Sequence, residues 1–171
     1  MLIFSTTLFN HKLKFTPLSE CMDHLSLAAA WAEGEWGYIR NKGVEYRKNL
    51  LNGLKDYVYV GTLGDEPVAL FAIFPKEMAA EFSNKKFKAP AVSELMYVYV
   101  DKPYRGLGLG RQIIEKAKQI AKAQEAEFIM LDTLKPSLNR FYGNGKEHSK
   151  TQIIAENQLF SHPTDVLVIK L

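Results

Sequence analysis

The sequence contains little cysteine, and it has no long apolar run. Its 171 residues include one cysteine, Cys21, which excludes an internal disulfide framework and favours a reducing, cytoplasmic location. No uninterrupted hydrophobic run reaches the length that a bilayer-spanning helix needs, so we expect no membrane partner. These two scarcities are typical of a cytoplasmic globular protein.

The chain also has little excess charge and no clustered histidines. A formal net charge of +3 is too small to indicate a nucleic-acid partner, and the densest basic run, Lys85 to Lys88, is short. The four histidines are scattered without metal-ligand spacing, so no metal is expected. The sequence has no internal repeat and no Pro/Ser-rich linker, which predicts a single domain over residues 1–171.

The most informative segment is a glycine-rich loop between a strand pattern and a helix pattern. The β-rich run Val92 to Val100 is followed by a proline turn and by glycines at three alternate positions, Gly106, Gly108 and Gly110. An amphipathic helix pattern begins there, and Arg105 and Arg111 bracket the glycines. Backbone N–H groups in such a loop, together with the helix N-terminus, favour an anion such as a phosphate.

The spacing of the glycines excludes two common phosphate loops. A dinucleotide loop requires G-x-G-x-x-G, and its third glycine would fall at Arg111. A nucleoside triphosphate loop requires Gly-Lys followed by Ser or Thr, whereas Gly145-Lys146 is followed by Glu147. The pattern [RQ]-x-x-G-x-[GA] remains, and it is met by Arg105, Gly108 and Gly110. In this context the segment resembles the pyrophosphate loop of the GNAT acetyltransferase superfamily.

The predicted order of elements is β-α-α-β-β-β-α-β-α-β-β. Ser19 is the expected N-cap of the first helix, and Gly34 and Gly37 are expected to end it. Gly64-Asp65 predicts a tight hairpin turn. This order resembles the GNAT fold along most of the chain. The resemblance implies an α/β fold with a mixed, mostly antiparallel central sheet of about six to seven strands, flanked by about four helices.

The resemblance implies acetyl-CoA as co-substrate and assigns residues to bind it. The pyrophosphate would lie against the loop, and the pantetheine arm would pair with the backbone of the preceding strand, which must be splayed to receive it. Lys135 stands where the family usually has asparagine, and its charge can still reach the cofactor. The expected cofactor-binding residues are Val98, Tyr99, Val100, Arg105, Gly106, Leu107, Gly108, Leu109, Gly110, Arg111 and Lys135.

Two residues are candidates for proton transfer. Glu94 stands 14 positions before Gly108, where several GNAT enzymes have a catalytic glutamate, and apolar neighbours favour a desolvated carboxylate that acts as a base. Tyr142 ends a segment, Lys135 to Tyr142, that resembles the family's Asn-Pro-x-Ala-x-x-Phe-Tyr helix. There the tyrosine can protonate the departing thiolate. A water chain is the alternative to Glu94, and a packing role is the alternative for Tyr142.

Two polar segments, residues 33–43 and 143–150, are expected to border the acceptor site. Glu33 and Glu35 could attract a cationic amine, and Trp36 could stack against it; a solvated loop with one anchoring tryptophan explains them equally well. The predicted function is transfer of an acetyl group to a primary amine, with a small molecule as the expected acceptor. A protein or peptide amine and a non-catalytic CoA-binding regulatory module are the alternatives, and a homodimer remains open.

Overall fold

The computed structural model describes residues 11–75, 77–78, 91–135, 138–142, 151–159 and 162–171. The strands in these ranges are β1 (Lys14–Pro17), β2 (Val58–Leu63), β3 (Glu66–Phe74), β4 (Val92–Val100), β5 (Phe128–Thr133), β6 (Thr151–Leu159) and β7 (His162–Lys170). The helices whose bounds fall in the same ranges are α1 (Leu25–Arg40), α2 (Gly43–Gly53), α3 (Leu109–Ala123) and α4 (Asn139–Tyr142). The order of these elements is the order predicted from the sequence.

The strands form a mixed sheet in the order β1-β2-β3-β4-β5-β7-β6 among the described residues. The β1–β2, β2–β3, β5–β7 and β6–β7 pairs are antiparallel, whereas β4 and β5 run parallel. The turn at Gly64 and Asp65 joins β2 to β3, with Gly64 in the left-handed region at φ +58°. The mostly antiparallel α/β fold predicted from the sequence is therefore confirmed.

The chain divides into two compact units, and each is described separately. The first contains Met1–Gly37, Lys42–Ala72 and Tyr97–Glu115, and the second contains Tyr38–Asn41, Ile73–Met96 and Lys116–Leu171. The glycine loop, defined here as residues 105–111, belongs to the first unit. Part of the predicted acceptor border, residues 143–150, lies outside the described residues, as do Lys85 to Lys88 and Pro136.

Aromatic packing on β2 and β3 supports the first unit. Phe71 is fully buried, stacks on Tyr59 with ring centroids 5.1 Å apart, and receives the edge of Phe15 at 5.4 Å. A Cβ at Gly61 would lie 3.0 Å from the Cβ of Ala69, so a larger residue would require these strands to shift slightly. This packing fixes the three antiparallel strands at one end of the sheet.

Helix α1 differs from its prediction at both ends. Short 3₁₀ turns occupy Leu18–Glu20 and Met22–His24, so α1 begins at Leu25 rather than after a Ser19 cap. The helix also continues through Gly34 and Gly37, which were wrongly expected to end it. Its buried residues are Ala28, Ala29, Trp31, Ala32 and Gly37. Burial of this face outweighs the low helix propensity of glycine.

Helix α3 begins directly after the glycine loop and is amphipathic, as predicted. Its buried face consists of Leu109, Ile113, Ile114, Ala117 and Ala121. In its first turns, the side chain of Gln112 accepts a hydrogen bond from Leu13 N at 2.8 Å and donates one to the carbonyl oxygen of His11. The N-terminal side of β1 is thereby fixed to the helix that carries the loop.

The core of the second unit lies on β4, β5 and β7. Val92, Met130, Val166 and Val168 form a buried cluster, and Phe128 packs against it. Beside this cluster, buried Ser93 donates a hydrogen bond to Gln124 Oε1 at 2.6 Å. The first residues of β4 are therefore fixed by apolar packing and by one satisfied polar contact.

Candidate active site

The glycine loop has a backbone shape that only glycine adopts readily. Gly106 and Gly108 have φ values of +82° and +79°. A Cβ at either position would meet no atom within 4 Å, so the space beside the backbone is open. Helix α3 begins at Leu109, immediately after this stretch. The loop therefore presents backbone amide groups at a helix N-terminus, the arrangement that favours an anionic ligand.

The turn that leads into the loop is fixed by Asp101. Its carboxylate caps a 3₁₀ turn, Lys102–Tyr104, by accepting a hydrogen bond from Lys102 N at 3.0 Å. The backbone N–H of Asp101 donates to the carbonyl oxygen of Val68 on β3 at 2.8 Å. The exit of β4 is thus anchored at both its backbone and its side chain, which sets the direction of the loop.

Arg105 lies along the end of β4. Its Nε donates to the Val100 carbonyl oxygen at 2.8 Å, and its Cζ lies 5.4 Å from the centre of the Tyr99 ring. The Tyr99 hydroxyl donates to Asp101 Oδ1 at 3.3 Å. Burial raises the pKa of Tyr99, the Asp101 charge and hydrogen bond add to this, and Arg105 opposes it. Arg105 is exposed, so its charge lies at the surface beside the glycines.

Strand β4 is distorted at Tyr97, which has a φ of +56°. A left-handed backbone at a bulky residue within a strand is a conformational outlier that costs about 1–3 kcal/mol. Upstream of this point β4 pairs in register with β5 from Val92 to Glu94. Strand β4 is therefore irregular three residues after Glu94. No sequence pattern predicts this irregularity, because tyrosine disfavours a left-handed backbone.

Two tryptophans of α1 pack on the tyrosines of β4. Trp31 lies 5.4 Å from Tyr99, and Trp36 lies 5.6 Å from Tyr97 and 6.5 Å from Tyr99 between ring centroids. The charge of Glu35 contributes to the raised pKa of Tyr99, after burial and Asp101. Trp36 and Glu35 thus lie on a helix beside β4, whereas the sequence predicted a loop there.

A buried arginine that the sequence did not identify joins α1, α2 and β4. Arg47 of α2 is 4% exposed, and its Nε donates to Glu33 Oε2 at 3.1 Å. Its Nη1 donates to the Tyr97 hydroxyl at 3.1 Å. Glu33, Arg47 and Tyr97 are called the arginine cluster below. The partners are 14 and 50 positions from Arg47, so no local pattern reveals the contact.

Glu94, the candidate base, lies inside the second unit. It is 3% exposed, and its Cα is in register with Met130 of β5. Val92, Ser93 and Leu95 beside it are also buried. The Glu94 side chain is therefore removed from bulk water.

Tyr142, the candidate acid, ends α4 in the second unit. Burial raises the pKa of Tyr142 to about 12, so its hydroxyl keeps its proton throughout the neutral range. Its ring meets Phe141 edge-on at 5.1 Å between centroids. Lys135, also in this unit, is exposed. Tyr142 can therefore donate a hydrogen bond at any pH at which the protein is ordinarily studied.

The predicted site residues divide between the two units. The first unit holds Glu33, Glu35, Trp36 and all expected cofactor residues from Val98 to Arg111, and the second holds Glu94, Lys135 and Tyr142. Within the described residues, no group of three or more His, Cys, Asp or Glu side chains has a metal-binding arrangement. No helix among the described residues combines the length and apolarity needed to cross a membrane.

Comparison with protein families identifies the chain. Residues 25–143 match the model of the acetyltransferase (GNAT) family, and these residues make up more than half of the sequence. The protein therefore belongs to the GNAT acetyltransferase family, as its glycine loop indicated. No curated protein matches the chain in sequence.

Solved structures of acetyltransferases share this fold at low sequence identity. The polyamine N-acetyltransferase of Drosophila melanogaster, which forms N-acetylagmatine, matches with a TM-score of 0.70 and 14% identity, over 94% of this chain and 100% of its own. A chain of the NatC complex bound to Gag peptide and CoA gives 0.60 and 15%, over 94% and 99%. N-acetylglutamate synthase from Neisseria gonorrhoeae, complexed with coenzyme A and N-acetyl-glutamate, gives 0.66 and 13%, over 95% and 36%.

Proposed function

We propose that this protein is an N-acetyltransferase that moves an acetyl group from acetyl-CoA directly to a primary amine. One observation carries the proposal: a strand distorted at Tyr97 leads into a glycine loop, whose positive-φ glycines open directly onto a helix. Membership of the GNAT family and the CoA-bound neighbours support acetyl-CoA as the co-substrate. A non-catalytic CoA-binding module remains the alternative that the experiment below separates.

The residues of the loop fit a pyrophosphate. A side chain at Gly106 or Gly108 would fill the open space beside the backbone amides, so these positions suit an anion that approaches the main chain closely. We assign the pyrophosphate to the amides of residues 105–111, with Arg105 and Arg111 adding positive charge. The backbone of Val98, Tyr99 and Val100 would hold the pantetheine arm, and Lys135 is also assigned to the cofactor. When bound, acetyl-CoA supplies an acetyl group activated as a thioester.

Glu94 is the proposed proton acceptor for the acceptor amine, either directly or through water. A protonated amine cannot attack a carbonyl, so some group must remove its proton first. Glu94 is suited to this because it is buried in β4, only three residues before the distorted Tyr97. Its carboxylate would pass this proton to solvent before the new N–C bond forms, and would take the second N–H proton as the C–S bond breaks and the thiolate leaves.

Tyr142 is proposed to assist the leaving thiolate as a hydrogen-bond donor. Its hydroxyl has a pKa of about 12, whereas an ordinary thiol has a pKa of about 8.5. Complete proton transfer from the phenol to such a thiolate would be uphill by about 5 kcal/mol. Donation of a hydrogen bond from Oη avoids this cost and still stabilises the developing negative charge on sulfur.

A small molecule is the proposed acceptor. Trp36 offers an aromatic surface, and Glu35 offers negative charge next to Tyr99, a combination that favours an organic ammonium group. Glu33 contributes less charge to such a site, because it already forms an ion pair with Arg47. One structural neighbour is a polyamine N-acetyltransferase, and another belongs to a complex bound to a peptide. A peptide amine is therefore the alternative acceptor. We also propose that the protein is cytoplasmic, forms a single domain and has no nucleic-acid partner.

Calorimetric titration with acetyl-CoA is the first test, with ATP and NAD as controls. We expect selective binding of acetyl-CoA, followed by thiol release when small primary amines are supplied. The same assay with a peptide bearing a free α-amino group separates the two acceptor classes. Glu94→Gln and Tyr142→Phe should bind acetyl-CoA normally and slow thiol release. Binding without turnover on any amine would favour the regulatory module, and no binding would overturn the proposal.

A further inference from the structure

The backbone at Tyr97 requires an explanation, because tyrosine does not adopt a φ of +56° without support. Nothing local provides that support, since Met96 and Val98 on either side continue the strand. The conformation persists only if surrounding groups hold the residue in place. The groups that contact its side chain are therefore candidates for setting the shape of β4.

The Trp36 ring meets the Tyr97 ring edge-on, 5.6 Å away between centroids, and Arg47 hydrogen-bonds to the Tyr97 hydroxyl. Arg47 is buried, and its Nη1–H donates to the Tyr97 hydroxyl at 3.1 Å. Its Cζ also lies 5.8 Å from the centre of the Tyr97 ring. A charged donor in a water-poor environment makes a stronger hydrogen bond than a neutral one. The contact fixes the hydroxyl end of the ring, and it therefore restricts the orientation of the whole Tyr97 side chain.

Arg47 is itself oriented by Glu33. The ion pair between Arg47 Nε and Glu33 Oε2 is 3.1 Å long, with side-chain exposures of 5% and 21%. Gly37, one turn after Glu33 in α1, leaves room for this carboxylate, because a Cβ there would lie 2.5 Å from Glu33 Oε1. The guanidinium of Arg47 therefore donates one N–H group to the Glu33 carboxylate and another to the Tyr97 hydroxyl. Its direction is set by both α1 and α2.

We propose that Arg47, oriented by Glu33, is a positioning residue that holds Tyr97 in its left-handed conformation and so keeps β4 in the form that receives acetyl-CoA. The inference rests on the proposed function only in its last step, the binding of acetyl-CoA. The first step concerns the backbone of one residue and can be measured without any ligand. Arg47 acts through Tyr97 and is not assigned to the reacting atoms.

Three variants test the proposal against a matched control. Arg47→Met removes both hydrogen bonds, Tyr97→Phe removes only the hydroxyl, and Lys48→Met replaces a neighbouring cation of α2. In the fourth variant Arg47→Met is combined with Tyr97→Gly, because glycine adopts positive φ without help. We expect Arg47→Met to raise the Kd of acetyl-CoA about tenfold, Tyr97→Phe less, and Lys48→Met not at all. The double variant should recover most of the lost affinity.

A ligand-free measurement accompanies the titration. In the wild-type protein, a strong NOE between the amide and α protons of residue 97 reports the positive φ, and this signal should weaken in Arg47→Met and Tyr97→Phe. Thermal unfolding of every variant shows whether it is folded. Tyr97→Phe, which removes one oxygen atom, keeps the test informative if Arg47→Met does not fold.

The outcomes separate the two proposals. An unchanged NOE at residue 97 in both Arg47→Met and Tyr97→Phe would overturn the positioning role. So would a loss of acetyl-CoA affinity in Arg47→Met that the added Tyr97→Gly substitution fails to restore. A loss of thermal stability with unchanged acetyl-CoA affinity would also overturn it, because Arg47 would then be merely structural. If the wild-type protein does not bind acetyl-CoA but the NOE weakens in the variants, the proposed function fails while Arg47 still sets the backbone of Tyr97.

Discussion

The glycine loop and the arginine cluster lie in the same unit of the protein but are built in opposite ways. The loop is a continuous run of residues 105–111, largely exposed, and its shape comes from backbone angles at Gly106 and Gly108. The arginine cluster draws one residue from each of three segments, and it is partly buried, with Arg47 at its buried centre. A loop of this kind depends on which residues occupy it. The cluster depends on which segments the fold brings together, and its charges depend on each other.

Separating the charges of the arginine cluster should have the largest effect on stability. Arg47→Met leaves the carboxylate of Glu33 without its buried partner, and we expect the free energy of unfolding to fall by about 3 kcal/mol. Denaturant unfolding of Arg47→Met, Glu33→Gln and the double variant measures the coupling. The double variant should lose less than the sum of the single variants. Strict additivity would show that the two charges act independently.

Substitution in the glycine loop should affect ligand binding more than stability. Gly108→Asp introduces a side chain at a φ of +79° and places a negative charge beside the proposed phosphate site, so we expect acetyl-CoA affinity to fall about a hundredfold. Gly108→Asn is the matched control, because asparagine has the same shape and tolerates this conformation. It should lose about tenfold or less. Equal losses in the two variants would show that charge is not the cause.

Tyr142 offers a test by pH. Its pKa lies near 10 when unfolded and about 12 when folded, so burial stabilises the protein below about pH 10, and this contribution is lost as the pH rises toward 12. The full contribution is at most about 3 kcal/mol. The free energy of unfolding should fall more between about pH 9 and about pH 11 in the wild-type protein than in Tyr142→Phe. Tyr38→Phe, at an exposed tyrosine, is the control and should behave as wild type. Identical alkaline slopes in all three proteins would contradict the burial of Tyr142.

Two glycines of α1 give the smallest and most selective comparison. Gly34→Ala adds a methyl group where no atom lies within 4 Å, so it should stabilise the helix by up to about 1 kcal/mol. Gly37→Ala places a methyl group 2.5 Å from Glu33 Oε1 and should lower stability by about 1 kcal/mol, because the carboxylate must move from Arg47. Thermal unfolding separates them. A gain in thermal stability in both variants would show that Glu33 rearranges around the new methyl group without loss of stability.

Local patterns predicted most of the fold. The bounds of β4 and the hairpin turn at Gly64 follow from β-rich runs and turn chemistry, and both were confirmed. The predicted end of α1 was wrong, since Gly34 and Gly37 have low helix propensity but lie in a helix with a buried face, to which Gly37 belongs. Packing of that kind depends on distant segments, and a single sequence does not reveal it.

The candidate site was predictable only where it is continuous in sequence. The glycine loop carries its own pattern, so its residues could be named in advance, although their binding of acetyl-CoA remains a prediction. The left-handed backbone of Tyr97 contradicts the preference of tyrosine, and its support from Arg47 spans 50 positions. No periodicity or motif encodes such a contact. The roles of Glu94 and Tyr142 likewise remain predictions.

The tryptophans of α1 have a spectroscopic consequence. Trp31 and Trp36 are the only tryptophans in the chain, and both contact tyrosines of β4 beside Arg105. When the protein is excited at wavelengths that tyrosine does not absorb, all intrinsic fluorescence therefore originates from this one neighbourhood. Emission intensity and colour should then respond to an occupant of β4 and stay insensitive to events elsewhere. The wild-type chain is its own unlabelled optical reporter for rapid-mixing measurements.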